Sequence, residues 1–428
     1  MRRSEYINLA RRLIAHLEAG TTDSAPSVKH IPVQNYIDPG RWQREMTHIF
    51  KRLPLLLAFT CEMSHPGDFK SIKVVDVPVL ITRGEDGMVR AFIGVCSHRG
   101  TVLTEEGKGQ CDFFTCPYHG WTFDQKGELT GIAGRNKFGE IDRRSRGLTQ
   151  LPCVERAGLI FVSLDAKATI DLETYLGGML AELESFGFER WHMYRQNELP
   201  TANWKVAHDG YLEGYHFSTL HPNTIGKQVM SNIMTYDAYG PHQRVGFPTY
   251  KISRMCEKPE SEWETDEGVT VVRTIFPNVS FAISDRGGMV SQLLPGPGPD
   301  RSRTIQNHIY AQVPANDEER AQMDAAVNLF ISAVEKEDNW VCEKIQKGLL
   351  SGGNKDFVFG KNELGLHRLH EWIDHYLNSP IEQEAAIDRW DKSLSNEYLN
   401  SIVYHTPPVP TERLATPGMD QPPRERAK

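Results

Sequence analysis

Two stretches of the sequence decide its interpretation: Cys96-Ser97-His98-Arg99-Gly100 and Cys116-Pro117-Tyr118-His119-Gly120-Trp121-Thr122-Phe123. Each stretch offers one thiolate and one imidazole at the spacing of a hairpin loop. Gly100 and Gly120, one after each histidine, let the backbone turn tightly, so that free N–H groups can point at sulfur. We therefore predict that two neighbouring loops hold one metal centre between two cysteines and two histidines.

Two kinds of metal centre fit this donor set. In a two-iron cluster, thiolates hold one iron and imidazoles the other, and the neutral imidazoles raise the reduction potential. The alternative is a structural zinc site with two cysteines and two histidines. Zinc sites of that kind are uncommon inside a domain large enough to fold unaided, and they rarely carry a Trp-x-Phe tail. The sequence favours the iron–sulfur interpretation, with zinc as the alternative.

The surroundings of both motifs have the pattern of an all-β module. Gly, Asp and Pro turns, such as Glu85-Asp86-Gly87, separate short runs rich in β-branched and aromatic residues. The predicted strands are residues 71–77, 79–82, 89–95, 113–116 and 159–164.

The composition describes an ordinary soluble globular chain. It has 428 residues, of which 39% are hydrophobic and 24% charged, enough for two or three domains. The net charge of −8 gives no support for binding to nucleic acid or to an anionic membrane. Seven cysteines are too scattered for a disulfide framework.

The N-terminus has the pattern of an amphipathic helix that ends near Gly20. Arg11, Arg12 and His16 interrupt any apolar stretch, so a signal peptide is not indicated. No apolar run approaches the roughly 18 residues that a membrane span needs. We expect a cytoplasmic protein.

A second group of candidate ligands lies in residues 203–222, where apolar residues recur at helical spacing. Glu213 and His216 are three residues apart and would share one face of a helix. His221 follows five residues later, just before a proline. Two neutral imidazoles and one carboxylate from elsewhere form a facial triad that leaves metal positions open for O₂ and substrate.

Other histidines have simpler interpretations. Three of them are expected to be surface residues or satisfied core residues: His192, His242 and His308. A di-iron carboxylate bundle would need a second Glu-x-x-His helix. His370 and His375 are one residue too far apart for the zinc-protease motif, so we expect a solvated face on that helix.

The remaining pattern completes an α+β fold. Helical stretches are predicted at 170–187, 203–217, 316–347 and 364–377, with strands at 269–275, 279–284, 289–294 and 304–312. The predicted domains are an N-terminal helix and arm (1–45), the all-β module (46–165), an antiparallel sheet with helices (166–400) and a tail rich in Pro, Arg and Glu (401–428).

The cluster motif, C-x-H, seventeen residues and C-x-x-H-G-W-x-F, closely resembles the Rieske domain of ring-hydroxylating oxygenases. Residues 203–221 are similar to the catalytic domain of the same family, with its N-W-K start and its D/E-x-x-H-x₄-H core. The resemblance covers about residues 40–380. It implies a large (alpha) subunit in which a Rieske domain precedes a helix-grip-like α+β catalytic domain.

The resemblance also implies a first set of metal ligands. Cys96 and Cys116 would hold one iron of a [2Fe-2S] Rieske cluster, and His98 and His119 the other.

A mononuclear Fe(II) would bind His216, His221 and a downstream carboxylate. The family's E-D pair, followed by Q-x-G-L, falls on Glu337-Asp338 and points to Asp338, with Glu335 as the fallback. Glu213 takes the place of the family's bridging carboxylate, often Asp. The chain departs from the family at Asp209-Gly210, where an E-N pair is frequent, so the resemblance assigns no substrate-channel residue to Gly210.

By the same resemblance, the chains form a ring, usually a trimer, with or without a small beta subunit. Glu213 would link His216 to His119 of the next chain, so that electrons pass from a Rieske cluster to the neighbour's iron. The sequence has no G-x-G-x-x-G fingerprint after a strand and no plant-type ferredoxin cysteine run. We therefore expect a separate NAD(P)H reductase, with or without a ferredoxin, to supply the electrons.

The implied activity is mono- or dihydroxylation of an aromatic or similarly hydrophobic small molecule. The alternatives are an oxidative O- or N-demethylase, a quaternary-amine monooxygenase and, from another class, a Rieske electron carrier without oxygenase activity.

Candidate cavity walls are Met230, Phe247, Phe281, Val290 and Gln292. A quaternary amine would need an aromatic cage, for which Trp263 and Tyr250 are candidates. For a carboxylate the candidates are Arg244, Arg254 and Arg273, although we expect each to be solvated.

Overall fold

The computed structural model describes residues 1–379. The predicted tail, 401–428, and the end of the predicted catalytic domain, 380–400, lie outside the described residues. The mixture of helices and antiparallel sheets confirms the predicted α+β class. In residues 1–379, every helix is too short or too polar to cross a membrane.

The helices and strands alternate along the chain. The helices are α1 Arg3–Ala19, α2 Gln34–Ile37, α3 Pro39–Glu45, α4 Arg135–Phe138, α5 Leu172–Leu176, α6 Gly178–Glu184, α7 Trp204–Asp209, α8 Phe217–Leu220, α9 Ile252–Cys256, α10 Asp317–Ala333, α11 Asn339–Leu349 and α12 Leu364–Asn378. The strands of the first half are β1 Lys29–Pro32, β2 Leu55–Phe59, β3 Asp68–Val74, β4 Val77–Arg83, β5 Val89–Ile93, β6 Gly107–Gln110, β7 Phe113–Thr115, β8 Thr122–Asp124, β9 Leu129–Gly131, β10 Gln150–Leu151, β11 Cys153–Arg156 and β12 Leu159–Val162. Those of the second half are β13 His192–Thr201, β14 Thr235–Tyr239, β15 His242–Pro248, β16 Val269–Ile275, β17 Val279–Ile283, β18 Gly287–Pro295, β19 Ser302–Tyr310 and β20 Asp356–Phe359.

The N-terminal helix predicted to end near Gly20 is confirmed. Gly20 adopts a φ of 63°, in the left-handed region that glycine adopts without strain, and so ends α1. The buried side chains Tyr6, Leu9 and Leu13 pack with residues of α9 and β16. The arm continues into β1, which pairs with β20 near the end of the described chain.

The first β module contains one five-stranded sheet and two three-stranded sheets. The five strands have the order β10-β5-β4-β3-β6, and the smaller sheets have the orders β11-β12-β2 and β7-β8-β9. The five strands predicted in this module are present, with ends displaced by a few residues. Strand β6 was not predicted, because all four of its residues are exposed and carry no apolar alternation.

The second module is built on a seven-stranded antiparallel sheet with the order β13-β19-β18-β17-β16-β15-β14. Its outer face carries Phe281 and Val290, which belong to a core shared with β2 of the first module. Its inner face carries Ser280 and Ser291, which are paired on neighbouring strands. α7 packs on the same sheet at β18 and β19, and α10 packs at β18.

Two predicted helices are different in the structure. The helix predicted over 203–217 is wrong beyond Asp209, because α7 ends there and residues 210–216 form turns. Gly210 and Gly214 weaken the helix, and a Cβ at Gly214 would lie 2.7 Å from the Phe247 ring. The predicted helix 316–347 is interrupted between α10 and α11 by a π-helical turn, Val334–Asp338.

Candidate metal centres and substrate chamber

The two cysteine–histidine motifs come together at the tips of neighbouring loops of the first module. The ring centroids of His98 and His119 lie 4.7 Å apart, and the His98 ring stacks on Trp121 at 4.8 Å. The side chains of Cys96 and Cys116 are within hydrogen-bonding reach of each other. The structure therefore gathers the two thiols and two imidazoles that the sequence analysis paired.

The backbone of each loop turns back on its cysteine. The N–H groups of Gly100 and Gly120 donate to the carbonyls of Cys96 and Cys116, both at 3.0 Å. The φ values of these glycines are 81° and 68°, which a side chain would oppose. A Cβ at Gly120 would also lie 3.0 Å from Ala133.

The two cysteines of this site differ in their electrostatics, because burial raises the pKa of Cys96. Burial alone would raise the pKa of Cys116, but the backbone N–H groups of Tyr118 and His119 help to lower it and so stabilise the thiolate. Burial, together with His119, lowers the pKa of His98 and keeps it neutral. The Nδ1 atoms of His98 and His119 are buried without a hydrogen-bond partner in the described residues. Such orphaned nitrogens match the imidazole ligands of a Rieske cluster.

A second set of ligands converges in the sheet-and-helix module. The ligand atoms of His216, His221 and Asp338 all lie within 4.8 Å of one another. Nε2 of His221 is 2.9 Å from Oδ1 of Asp338, and Nε2 of His216 is 3.8 Å from the same oxygen. Two imidazoles and one carboxylate fit the facial triad of non-haem Fe(II).

Each of these histidines is also held by a carboxylate on its other ring nitrogen. Glu213 binds Nδ1 of His216, and Oε2 of Glu337 lies 2.7 Å from Nδ1 of His221. Thr224 donates a hydrogen bond to Glu337. A carboxylate on Nδ1 fixes the tautomer and leaves Nε2 free for a metal.

These carboxylates also act on the charge of the site. Burial alone would lower the pKa of His221, but Asp338 and Glu337 together raise it. Glu337 was not predicted to have a role, although it is the first residue of the E-D pair that points to Asp338. Glu335, the fallback ligand, is exposed and lies outside the site.

The secondary structure explains why these residues meet. His216 precedes the short helix α8 and His221 follows it, so a single turn of helix separates them. Glu337 and Asp338 end the π-helical turn, a feature that often occurs at functional sites because it displaces side chains from regular helical positions.

Comparison with known proteins identifies the family. Residues 54–152 match the Rieske [2Fe-2S] domain, and residues 188–379 match the catalytic domain of the ring-hydroxylating alpha subunit. The chain belongs to the Rieske oxygenases. It is a non-haem iron oxygenase component that carries a Rieske [2Fe-2S] cluster and a mononuclear iron.

Individual relatives of this oxygenase have different substrates in their names. The carnitine monooxygenase oxygenase subunit of Escherichia coli (strain K12) is 27% identical over 331 residues, which cover 76% of this chain and 85% of the relative. The large subunit of anthranilate 1,2-dioxygenase from Acinetobacter baylyi is 30% identical, over 48% of this chain and 46% of the relative. A crystal structure of a quaternary ammonium Rieske monooxygenase shares the fold, with a TM-score of 0.72 and 22% identity over 82% of this chain and 97% of that one.

An apolar cluster lies between the inner face of the sheet and the π-helical turn, and we treat it as the candidate substrate chamber. We define this chamber by Tyr211, Met289, Ser291, Phe330 and Val334. All but Ser291 belong to one apolar cluster, and the Tyr211 hydroxyl donates to Oγ of Ser291 at 3.0 Å. Val334 begins the turn that carries Asp338, so the chamber borders the mononuclear site.

Most of the predicted cavity walls are wrong. Phe281, Val290 and Gln292 lie on the outer face, where Nε2 of Gln292 donates to the Leu56 carbonyl at 2.8 Å. Met230 packs with the cluster beneath α1. Phe247 is on the side of the metal ligands, where its ring lies 5.1 Å from that of Phe217. Alternation along a strand shows that one face is buried but does not show which partner covers it.

The histidines outside the two sites differ from one another. His192 is exposed, and His242 is a satisfied core residue whose Nε2 binds the Tyr175 carbonyl at 2.7 Å, as predicted. His308 is buried without a partner on either ring nitrogen in the described residues, so its predicted role as a satisfied residue is wrong. Burial lowers the pKa of His308 to about 4.

The solvated face expected around His370 is also wrong. His370 is fully buried, and its Nε2 lies 3.1 Å from Oδ1 of Asp209. The Tyr36 hydroxyl donates to the other oxygen of Asp209 at 2.8 Å. Asp209 therefore ties α7 to the N-terminal arm and to α12.

The residues considered for charged substrates lie away from the chamber. Arg244 and Arg273 are buried on the outer face and paired with Glu182, so their expected solvation is wrong. Arg254 is exposed, as expected. Trp263 packs beneath α1 and Tyr250 is 52% exposed, so these two residues form no cage at the iron site.

Proposed function

We propose that this oxygenase hydroxylates a carbon next to the nitrogen of a small quaternary amine. The observation that carries the proposal is the facial triad of His216, His221 and Asp338 beside aromatic side chains. The Phe217 ring lies 4.9 Å from His216 and 5.1 Å from Phe247. Aromatic rings attract cations that carry no hydrogen-bond donors. The names of the carnitine relative and of the quaternary ammonium structure agree with this substrate class.

The ligand assignment is part of the proposal. Cys96 and Cys116 would hold one iron of the cluster, and His98 and His119 would hold the other. Nε2 of His216, Nε2 of His221 and the carboxylate of Asp338 would hold the mononuclear iron. Glu213 and Glu337 orient both imidazoles, because each accepts the Nδ1 proton and so leaves Nε2 for the metal.

The reaction balances with two electrons and two protons. When bound, the iron supplies O₂ activation and the cluster supplies the electrons. One oxygen atom enters a C–H bond next to nitrogen, and the other leaves as water. The resulting carbinolamine breaks its C–N bond to give an aldehyde and a tertiary amine. The chamber holds the substrate beside the triad and excludes bulk water through Val334 and Met289.

Electron delivery requires a second protein and a second chain. A separate NAD(P)H reductase, with or without a ferredoxin, reduces the cluster. We place the cluster of one chain against the iron site of the next, in a closed ring such as a trimer. Two exposed aromatic residues suit this contact, since Tyr118 next to His119 is 56% exposed and Tyr215 next to His216 is 60% exposed.

Single-turnover chemistry tests the proposed reaction without the reductase. Anaerobically purified, iron-loaded protein is reduced with dithionite, freed of excess reductant and mixed with O₂ and glycine betaine. We expect formaldehyde and dimethylglycine in equal amounts. The variant Asp338→Asn serves as a control, because it should retain the cluster spectrum and form neither product. A product from aromatic compounds alone would reject the amine substrate.

The second candidate is hydroxylation of an aromatic compound, the main prediction from the sequence. The apolar side chains of the chamber, Met289, Phe330 and Val334, suit an aromatic body. The anthranilate relative supports this candidate. Anthranilate and benzoate therefore belong in the same single-turnover screen, where hydroxylated ring products would favour this candidate.

A further inference from the structure

A row of polar side chains crosses the inner face of the sheet. Gln243 on β15 pairs with Thr274 on β16, Thr274 pairs with Ser280 on β17, and Ser280 pairs with Ser291 on β18. Neighbouring strands lie about 4.8 Å apart, so Thr274 has Gln243 and Ser280 at one strand spacing on either side. All four residues are at most 1% exposed.

Three members of this row have no protein partner. Both amide atoms of Gln243 and the hydroxyls of Thr274 and Ser280 are buried without a hydrogen bond to any described residue. A buried polar group without a hydrogen-bond partner lowers the stability of the folded state, and three such neighbours lower it further. A ligand with hydrogen-bond acceptors would supply the missing partners.

The row leads to the substrate chamber. Its last member, Ser291, accepts a hydrogen bond from Tyr211, which belongs to the segment that ends in Glu213 and His216. Leu212, in the same segment, lies near Gln243 at the other end of the row. A Cβ added at Gly365 would be 2.6 Å from the Leu212 carbonyl oxygen and 3.3 Å from Oε1 of Gln243. The segment that leads to the metal ligands thus spans the row.

The chemistry of the row selects a particular kind of ligand group. A primary amide and two hydroxyls offer four N–H and O–H donors, whereas a carboxylate offers about four acceptor sites. Arg244 and Arg273 already pair with Glu182 on the opposite face of the sheet. A carboxylate at the row would therefore be bound by uncharged donors.

We propose that Gln243, Thr274 and Ser280 bind the carboxylate of a substrate whose oxidisable carbon lies in the chamber. The inference rests on the proposed iron site, but it holds for either an amine or an aromatic body. It assigns a carboxylate-binding function to the row and selects acidic or zwitterionic substrates over choline-like or hydrocarbon ones.

The test uses two pairs of probes that differ in the carboxylate. Glycine betaine is compared with tetramethylammonium, and benzoate with toluene, by calorimetric titration of the anaerobic, iron-loaded protein. The test variant is Thr274→Val/Ser280→Ala, which removes two hydroxyls with little change of shape. Thr235→Val is the matched control, because Thr235 is also buried and its hydroxyl has no partner in the described residues. Thr235 lies on the side of α1 and not in the row, since it is next to Gly246, where an added Cβ would be 3.6 Å from Leu9 of α1.

We expect the wild type to bind the carboxylate member of at least one pair more tightly. The double variant should weaken that probe at least about tenfold and leave its carboxylate-free counterpart within about twofold, because hydrogen bonds to a charged group are lost. Its melting temperature without a probe should not fall, since both hydroxyls lack protein partners. Thr235→Val should bind all probes like the wild type.

The outcomes separate this inference from the proposed function. If benzoate follows the expected pattern and glycine betaine does not bind, the amine substrate is rejected and the carboxylate site stands. The inference is overturned if neither carboxylate binds the wild type, or if the double variant binds both members of a pair with unchanged or equally weakened affinity.

Discussion

At the scale of single residues, His216 and His221 each have one ring nitrogen at a carboxylate, which leaves the other for the proposed metal. Nδ1 of His216 meets Glu213, and Nδ1 of His221 meets Glu337. Both Nε2 atoms then face the same oxygen of Asp338. The hydrogen bonds of Glu213 and Glu337 therefore determine that Nε2, and not Nδ1, of each histidine is left for a metal.

Replacing Glu337 tests this orientation. Glu337→Gln should weaken Fe(II) binding about 10- to 100-fold, because loss of a carboxylate partner of a ligating histidine has effects of that size. The measurement is Fe(II) affinity in competition with a chelator, with the cluster absorbance unchanged. Glu335→Gln is the control, since Glu335 is exposed on the same turn. Equal Fe(II) affinities for both variants would contradict the role of Glu337.

At the scale of secondary-structure elements, a buried carboxylate joins the two modules. Glu62 follows β2, and its side chain binds Lys70 of β3 at 2.9 Å and Lys108 of β6 at 3.0 Å. Gln196 of β13 donates to the same carboxylate at 3.2 Å. Burial alone would raise the pKa of Glu62, but the two lysines outweigh it and hold the pKa below its ordinary value.

Glu62→Gln should therefore destabilise the protein by about 3–5 kcal/mol at neutral pH, because Lys70 is left buried without its counter-charge. The folded pKa of Glu62 is lower than the unfolded one, so its stabilisation is complete above the unfolded value of about 4.3. It is lost as the pH falls through the folded pKa.

Denaturant unfolding between pH 8 and pH 3 measures this contribution. The difference between wild type and variant should be constant at neutral pH and shrink in acid. Glu128→Gln, at an exposed position of the same module, should change stability by less than about 0.5 kcal/mol. A difference that is small at every pH would show that the ion pairs contribute little.

At the scale of the whole molecule, the two metal sites lie in different modules, and the proposed ring joins them across chains. His98 and His119 are at loop tips, beside exposed residues such as Tyr118. The proposed electron path leaves the chain at this surface and enters the next chain near Glu213.

Mixed oligomers test that path. Cys116→Ser removes the cluster, and Asp338→Asn removes the mononuclear iron, so each variant alone should be inactive. Co-expressed in equal amounts, the two should recover up to about a quarter of the wild-type activity, because one in four ring contacts pairs an intact cluster with an intact iron. Turnover with the reductase is the measurement. Electron transfer within one chain would give no recovery.

The sequence by itself predicts the candidate metal ligands of this protein. The proposed ligands of each loop, such as Cys96 and His98, are two or three residues apart, so a short loop determines their geometry and a motif predicts them. Asp338 was located because its E-D pair resembles that of a known family. These assignments depend on short-range spacing, which tertiary packing does not change.

Only the tertiary structure decided which residues surround those ligands. Phe281 and Ser280 are neighbours on one strand, yet one faces the core shared with β2 and the other the inner face. The alternation of side chains along a strand cannot distinguish these faces, because the distinction depends on which element packs on each side. In the same way, Glu337 meets His221 across more than a hundred residues of chain, and only folding brings such distant groups together.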